Sequence, residues 1–172
     1  KYDEYLIKYL NLNVYLKDRN IIIENEDDKF EDVLKKIKKD SYIQGYWQNI
    51  SFLKNVKSTM REEIKLLHSS NVINDLLLKI NKTNSCSIHI RRGDYLKEPF
   101  NKIYQICSEK YYHEGINLVQ KRIIDPFYFV FTDDIDWAKE TLRGLSNKIL
   151  INDYKLKDYE EFYLLSKCQN HI

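Results

Sequence analysis

Apolar and polar residues follow two different periods along the second half of the chain. Between residues 85 and 90, apolar side chains occur at every second position, which is the period of a strand. Between residues 108 and 123, they recur every three or four positions, which is the period of a helix with one apolar face. The predicted order is strand 85–90, helix 108–123, strand 127–132, helix 135–142, strand 148–151 and helix 160–167. This order predicts an α/β domain with a Rossmann-like, doubly wound parallel sheet.

The first half of the chain carries a weaker pattern. A short strand is predicted at 21–23, a helix at 30–39 and a strand at 42–47, where Gly45 would allow a bulge or a close backbone approach. Further helices are predicted at about 55–67 and 72–80. This change of pattern places a boundary in the chain after residue 84.

Two of the predicted strands end in polar residues that could bind a ligand. They are His89, Arg91, Arg92 and Asp94 at the end of the first, and Thr132, Asp133 and Asp134 at the end of the second. A single His or Arg at such a position is more often a packing or surface residue, but four polar groups within six residues favour a site. The carboxyl ends of parallel strands share one sheet edge, and neighbouring strands are about 4.8 Å apart. We therefore expect both groups to line one crevice.

The residue types indicate the ligand. Two adjacent guanidinium forks suit the oxygens of a phosphate. Carboxylates accept hydrogen bonds from sugar hydroxyls or from the N–H edge of guanine. A basic group beside an acidic group thus predicts a nucleotide-sugar site.

Two alternatives remain open for the acidic group. Asp133 and Asp134 could cap the following helix and complement its dipole, which would explain at least one of them. Asp134-Ile135-Asp136 also spells the D-x-D of metal-dependent glycosyltransferases. We favour the metal-free interpretation, because this tripeptide lies at a predicted helix start and the arginines already supply positive charge.

Composition narrows the class of protein. The 172 residues carry a formal net charge of +2, which is too small to indicate a nucleic-acid partner. Three scattered cysteines lack metal-ligand spacing and predict reduced thiols in a cytoplasm. No apolar run approaches the ~18 residues of a membrane span.

Several segments together resemble the α-1,2-fucosyltransferases of glycosyltransferase family 11. The segment His89 to Asp94 resembles their H-x-R-R-x-D signature, and Phe129 to Asp134 resembles their apolar strand ending in S/T-D-D. Tyr159 to Cys168, followed by Asn170-His171-Ile172, is similar to their third block. Gly45-Tyr46-Trp47-Gln48 is similar to an upstream G-Y-[FW]-Q stretch. The resemblance covers about residues 41–172.

This resemblance implies an activity and a set of roles. It implies inverting, metal-independent transfer of L-fucose from GDP-fucose to the 2-hydroxyl of a galactose-terminated glycan, with no cofactor. Arg91 would contact the β-phosphate, His89 the nucleotide, and Asp133 or Asp134 the guanine. From the chemistry of the residues themselves, we expect Arg91 and Arg92 to stabilise the departing diphosphate, and Asp94 to orient their guanidiniums rather than to act as a base.

The resemblance also implies an architecture. It is GT-B-like, with residues 1–84 in an acceptor-side lobe and residues 85–172 in a nucleotide-sugar-binding half-domain. The family's G-G-L-G-N-Q and N-S-x-F-S-W-W segments are missing from the sequence. We therefore expect an incomplete fragment of a two-lobed enzyme, located in the cytoplasm or at the inner face of the membrane. The competing functions are a metal-dependent glycosyltransferase and a non-catalytic GDP-sugar-binding module.

Overall fold

The computed structural model describes residues 20–25, 28–46, 50–54, 56–63, 65–66 and 69–172. The chain divides into two compact units, residues 1–64 and residues 65–172. Within the described residues, no helix is both long enough and apolar enough to span a membrane.

The first unit contains a small β-α-β arrangement. Its elements are strand β1 (Ile21–Ile23), helix α1 (Phe30–Lys36), strand β2 (Tyr42–Gln44), a 3₁₀ turn (Ile50–Leu53) and helix α2 (Lys57–Glu63). Strands β1 and β2 pair in parallel, and Ile22 and Val33 are buried. Gly45 lies so close to Glu24 that a Cβ atom would overlap it, so the predicted close approach at this glycine is confirmed.

The second unit is built on a four-stranded parallel sheet. Its strands are β3 (Asn84–Ile90), β4 (Pro126–Thr132), β5 (Lys148–Leu150) and β6 (Asn170–His171). Their order in the sheet is β5-β4-β3-β6, and every pairing is parallel. The chain therefore runs outward from β3 to β5 and then crosses back to the other side of β3.

Helices cover both faces of this sheet. They are α3 (Asn71–Lys82), α4 (Glu109–Arg122), α5 (Ile135–Thr141) and α6 (Asp158–Lys167), with 3₁₀ turns at Phe100–Lys102 and Ile151–Tyr154. Ile88 and Ile90 pack with α4 and α5 on one face, while Phe129 and Phe131 pack with α3 and α6 on the other. The predicted Rossmann-like, doubly wound parallel sheet is thus confirmed.

The element boundaries follow the predictions closely in the second unit. Helix α4 begins after Ser108, whose Oγ accepts a hydrogen bond from the Tyr111 amide, as a cap should. Strand β5 ends one residue early because Ile151 opens a 3₁₀ turn. In the first unit the strand predicted at 42–47 ends at Gln44, and Trp47 lies outside the described residues.

The boundary between the two units lies earlier than the sequence pattern indicates. Ile73, Leu76 and Ile80 of helix α3 are buried in the cluster that also contains Phe129. Helix α3 therefore belongs to the second unit, which begins at Lys65 rather than after residue 84.

Candidate functional site

The two polar groups predicted to converge lie together at the carboxyl ends of β3 and β4. The guanidinium of Arg91 lies 3.2 Å from Asp133 through Nη1, and Nε of Arg92 lies 3.1 Å from Asp134. The backbone N–H of Arg92 donates to Asp133 at 2.7 Å. A Cβ atom at Gly93 would stand 3.1 Å from the Asp133 carboxylate, so the missing side chain lets the two segments approach closely.

Arg91 occupies the open edge of this site. Its side chain is 48% exposed, and its Nη2 donates to Asp94 at 2.8 Å. The guanidinium also lies 5.6 Å from the centre of the Tyr95 ring. The Oδ1 atom of Asp94 is buried and receives no hydrogen bond from the described residues. Arg91 is thus held by two carboxylates and a ring while part of its fork stays open to a ligand.

Arg92 has a different environment. Its side chain is only 16% exposed and stacks on Trp137 of helix α5, with 4.1 Å from the guanidinium carbon to the ring centre. Trp137 contacts the edge of Tyr112, whose hydroxyl donates to the His89 carbonyl at 3.3 Å. The two guanidiniums therefore do not share the open edge, and Arg92 ties the end of β3 to α4 and α5.

Asp134 is a helix cap, as one of the two interpretations predicted. Its Oδ1 accepts from the Trp137 amide at 3.3 Å, and its Oδ2 pairs with Arg92. Thr132 is buried, and its Oγ1 accepts from the Asp134 amide at 3.0 Å. Both oxygens of Asp134 are therefore engaged before any ligand arrives. Asp133 also has both oxygens engaged, Oδ1 with the Arg92 amide and Oδ2 with Arg91, but it does not cap α5.

The two acids of the D-x-D alternative lie in different environments. Asp136 is exposed in the first turn of α5, while Asp134 is committed to Trp137 and Arg92. Across the described part of the chain, no three His, Cys, Asp or Glu side chains are grouped so that they could hold a metal ion.

His89 is an exposed residue at the end of β3. Partial burial of its ring and the nearby Arg91 lower the pKa of His89, and Asp133 opposes this shift only in part. At neutral pH the ring is therefore uncharged and acts as a hydrogen-bonding group rather than as a cation.

Sequence reasoning gave no role to several residues that shape this edge. Trp137 lies in the first turn of α5, and the Arg92 guanidinium at the end of β3 stacks on its ring. Asn152 follows β5, donates to the Thr132 carbonyl at 2.7 Å and carries a buried Oδ1 with no partner in the described residues. In the long segment after Asp94, Tyr95 stacks on Tyr104 at 4.5 Å, which orders the ring beside Arg91.

Comparisons with known proteins identify the family of the chain and two relatives. The family model described as Glycosyl transferase family 11 matches residues 4–172. An α-1,2-colitosyltransferase of Escherichia coli is 33% identical over 135 residues, which are 74% of this chain and 45% of that protein. The O-antigen biosynthesis glycosyltransferase WbnK of Escherichia coli is 33% identical over 92 residues, which are 52% of this chain and 30% of that protein.

The chain thus spans less than half the length of either curated relative. No solved structure matches it significantly. The family model nevertheless covers nearly every residue, and it includes both strand ends that form the site. The chain belongs to glycosyl transferase family 11.

Proposed function

We propose that the protein acts as an inverting, metal-independent glycosyltransferase, which transfers L-fucose from GDP-fucose to the 2-hydroxyl of a galactose-terminated glycan. The observation that carries this proposal is Arg91, an exposed guanidinium held by Asp94 and Asp133 at the carboxyl edge of a parallel sheet. Ligands of such sheets bind beyond this edge. We also propose that the whole enzyme has a GT-B-like architecture, in which residues 1–64 belong to the acceptor-side lobe.

The transfer reaction requires a positively charged group beside the β-phosphate of the donor. When the bond between fucose C1 and the phosphate oxygen breaks, negative charge develops on the β-phosphate of the departing GDP. The acceptor oxygen attacks C1 from the opposite face, and its hydroxyl proton passes to the solvent. Arg91 is held in place before the reaction, so it stabilises this charge without reorganisation. Asp94 acts as its positioning residue, because it holds Nη2 at 2.8 Å.

The remaining site residues divide between ligand contact and support. We assign His89 to the nucleotide as a neutral hydrogen-bonding group, and Asp133 to the N–H edge of guanine. We assign Arg92, Thr132 and Asp134 to support, because their hydrogen bonds join the ends of β3 and β4 to α5.

The donor sugar has a second candidate. One relative is named an α-1,2-colitosyltransferase and another an O-antigen biosynthesis glycosyltransferase. A GDP-linked colitose is therefore the alternative donor, and a bacterial O-antigen glycan is the proposed setting of the acceptor. The proposed location is the cytoplasm, including the inner face of the membrane.

The test is a transfer assay with the full-length protein. GDP-fucose or GDP-colitose is incubated with a galactose-terminated acceptor, with and without EDTA, and the linkage is read by mass spectrometry and NMR. We expect an α-1,2 product with one of the two donors and no effect of EDTA. Loss of activity in EDTA with recovery on added Mn²⁺ would contradict metal independence. Binding of GDP without any transfer would favour the non-catalytic module.

The same assay tests the role of Arg91. Arg91→Ala should lower kcat by about 10²–10³-fold, the usual cost of removing one preorganised donor at a developing charge. Arg143→Ala is the matched control, because Arg143 is an exposed arginine after α5 that pairs with Glu140. Near-native turnover of Arg91→Ala would refute the mechanism.

A further inference from the structure

The segment that follows Asp94 places three aromatic rings beside the open edge of the site. Tyr95 stacks on Tyr104, with ring centres 4.5 Å apart and an angle of 15° between the planes. The Phe100 ring lies 6.1 Å from Tyr104 at an angle of 25°. The guanidinium of Arg91 lies 5.6 Å from the centre of the Tyr95 ring. Tyr95, Tyr104 and Phe100 thus form an aromatic stack whose first ring contacts Arg91.

Backbone hydrogen bonds hold the aromatic stack in place. The Leu96 amide donates to the Arg92 carbonyl at 2.9 Å, and the Tyr104 amide donates to the Phe100 carbonyl at 2.8 Å. A surface that is ordered before binding loses little conformational entropy when a ligand covers it. The stack is therefore a preorganised surface rather than a set of independent side chains.

The outer rings of the aromatic stack are exposed. Phe100 is 41% exposed and Tyr104 is 42% exposed, and the neighbouring side chains of Leu96 and Ile103 are exposed as well. An exposed apolar patch that borders a polar site is typical of a ligand-binding surface. The stack therefore continues the open edge at Arg91 with a surface suited to an apolar face of a ligand.

The contacts of Arg91 relate the aromatic stack to the proposed donor. Its Nη1 pairs with Asp133 and its Nη2 pairs with Asp94, so the two carboxylates lie at different tips of the guanidinium. Tyr95 follows Asp94 directly, which puts the start of the stack on the Asp94 side. In the proposed function, His89 and Asp133 contact the nucleotide. The sugar end of the donor then lies on the Asp94 side, towards the stack.

The chemistry of the acceptor matches this surface. In an inverting transfer the acceptor lies beyond the donor sugar, because its oxygen attacks C1 from the face opposite the diphosphate. A galactose ring has one apolar face, formed by the C–H groups at C3, C4 and C5, and flat aromatic rings offer a large apolar area to such a face. Its 2-hydroxyl lies at the edge of the sugar ring, so stacking leaves this hydroxyl free to attack.

We propose that the aromatic stack binds the terminal galactose of the acceptor, with Phe100 and Tyr104 against the apolar face of the sugar. The inference rests on the proposed function and extends it from the donor to the acceptor. Two other roles make different predictions. In one, the stack only supports Arg91, and in the other, its rings are a packing surface for another part of the full-length protein.

Steady-state kinetics of the full-length protein separate these roles, with lactose as the galactose-terminated acceptor and the donor at saturation. Phe100→Leu keeps an apolar side chain but removes the flat ring. We expect the KM for lactose to rise about 10-fold, while kcat and the affinity for GDP stay within about 2-fold of the wild type. Phe100→Tyr keeps the ring and should retain the wild-type KM. Phe162→Leu is the matched control, because Phe162 is an exposed phenylalanine on α6.

The outcomes distinguish this inference from the proposed function. A wild-type KM for lactose in Phe100→Leu, with or without a loss of stability, overturns the inference. An equal loss of affinity for GDP and for lactose also overturns it, because the stack would then act only through Arg91. If the wild type transfers no sugar to any galactose-terminated acceptor, the proposed function fails and the inference fails with it.

A second measurement applies if Phe100→Leu does not fold. Saturation-transfer NMR of the wild type with lactose, with irradiation of the aromatic protons of the protein, then decides. We expect the saturation to reach H3, H4 and H5 of the galactose. Its absence from these three protons would overturn the inference.

Discussion

Arg91 and Arg92 are neighbours in the sequence, yet their guanidiniums lie in different environments. Arg91 is 48% exposed between two carboxylates, whereas Arg92 is 16% exposed between Asp134 and the Trp137 ring. The sequence alone could not make this distinction, because both side chains follow the same strand. Trp137 is the residue that covers Arg92. It is distant from Arg92 in the sequence and reaches it only because β3 pairs with β4.

Because the two arginines differ in burial, their substitutions should differ in how much stability the protein loses. Arg92→Ala should lower the free energy of unfolding by about 1–3 kcal/mol, because a largely buried ion pair and a cation–π contact are lost together. Arg91→Ala should change it by less than about 0.5 kcal/mol, since exposed ion pairs contribute little. Urea unfolding of both variants measures the two values. A larger loss for Arg91→Ala than for Arg92→Ala would show that the structural role has been assigned to the wrong residue.

His89 should make stability depend on pH. Its pKa in the folded protein lies below the ordinary value of about 6.5, so the unfolded chain takes up the proton first as the pH falls. The contribution of neutral His89 is therefore complete above about pH 7 and is lost as the pH falls through 6.5 towards the folded pKa. His89→Gln should lose less stability than the wild type between pH 7 and pH 5 in urea unfolding. Parallel pH profiles of the two proteins would contradict the lowered pKa.

Helices and strands could be predicted where local chemistry sets their limits. Ser108 caps α4, so the start of this helix follows from residue type, whereas β4 begins at Pro126, one residue before the predicted Phe127. The start of α5 was predicted for the same reason, because Asp134 is a good N-cap. By contrast, α1 ends at Lys36, before the predicted Lys39, since no residue there signals a helix end. The position of β6 beside β3 depends on the crossover through α6 and could not be derived from local pattern.

The contribution of the Ser108 N-cap to the stability of α4 can be tested by substitution. Ser108→Ala should lower the free energy of unfolding by about 1 kcal/mol, because the Tyr111 amide loses its acceptor. Ser166→Ala is the matched control, since Ser166 is exposed inside α6, where alanine has the better helix propensity. Thermal or urea unfolding compares the two variants. An equal effect for both would mean that Ser108 does not act as a cap.

At the scale of the whole molecule, a sheet covered on both faces encloses two of the three cysteines. Burial raises the pKa of the Cys86 thiol to about 11 and that of Cys168 to about 12. Cys107 is exposed in the segment before α4.

The convergence of two strand ends at one edge could be predicted because parallel strands share their polarity. Which side chains stay open at that edge depends on packing against α5, which brings together residues that are distant in the sequence.

The burial pattern predicts selective alkylation. Iodoacetamide at pH 8 should modify Cys107 in the folded protein, while Cys86 and Cys168 should react only after unfolding, because thiolate and access are both needed. Peptide mass spectrometry with and without urea measures the sites. Rapid modification of Cys86 without urea would show that β3 is not the buried strand described above.

The central claim is that the open edge at Arg91 binds the diphosphate of a guanine nucleotide. Calorimetric titration of GDP into the full-length protein in EDTA tests it most directly, with Arg91→Ala and the control Arg143→Ala measured alongside. We expect the wild type and Arg143→Ala to bind GDP with equal affinity and Arg91→Ala to bind at least about 10-fold more weakly, since a hydrogen bond to a charged group is lost. Equal affinity for all three proteins would contradict the claim.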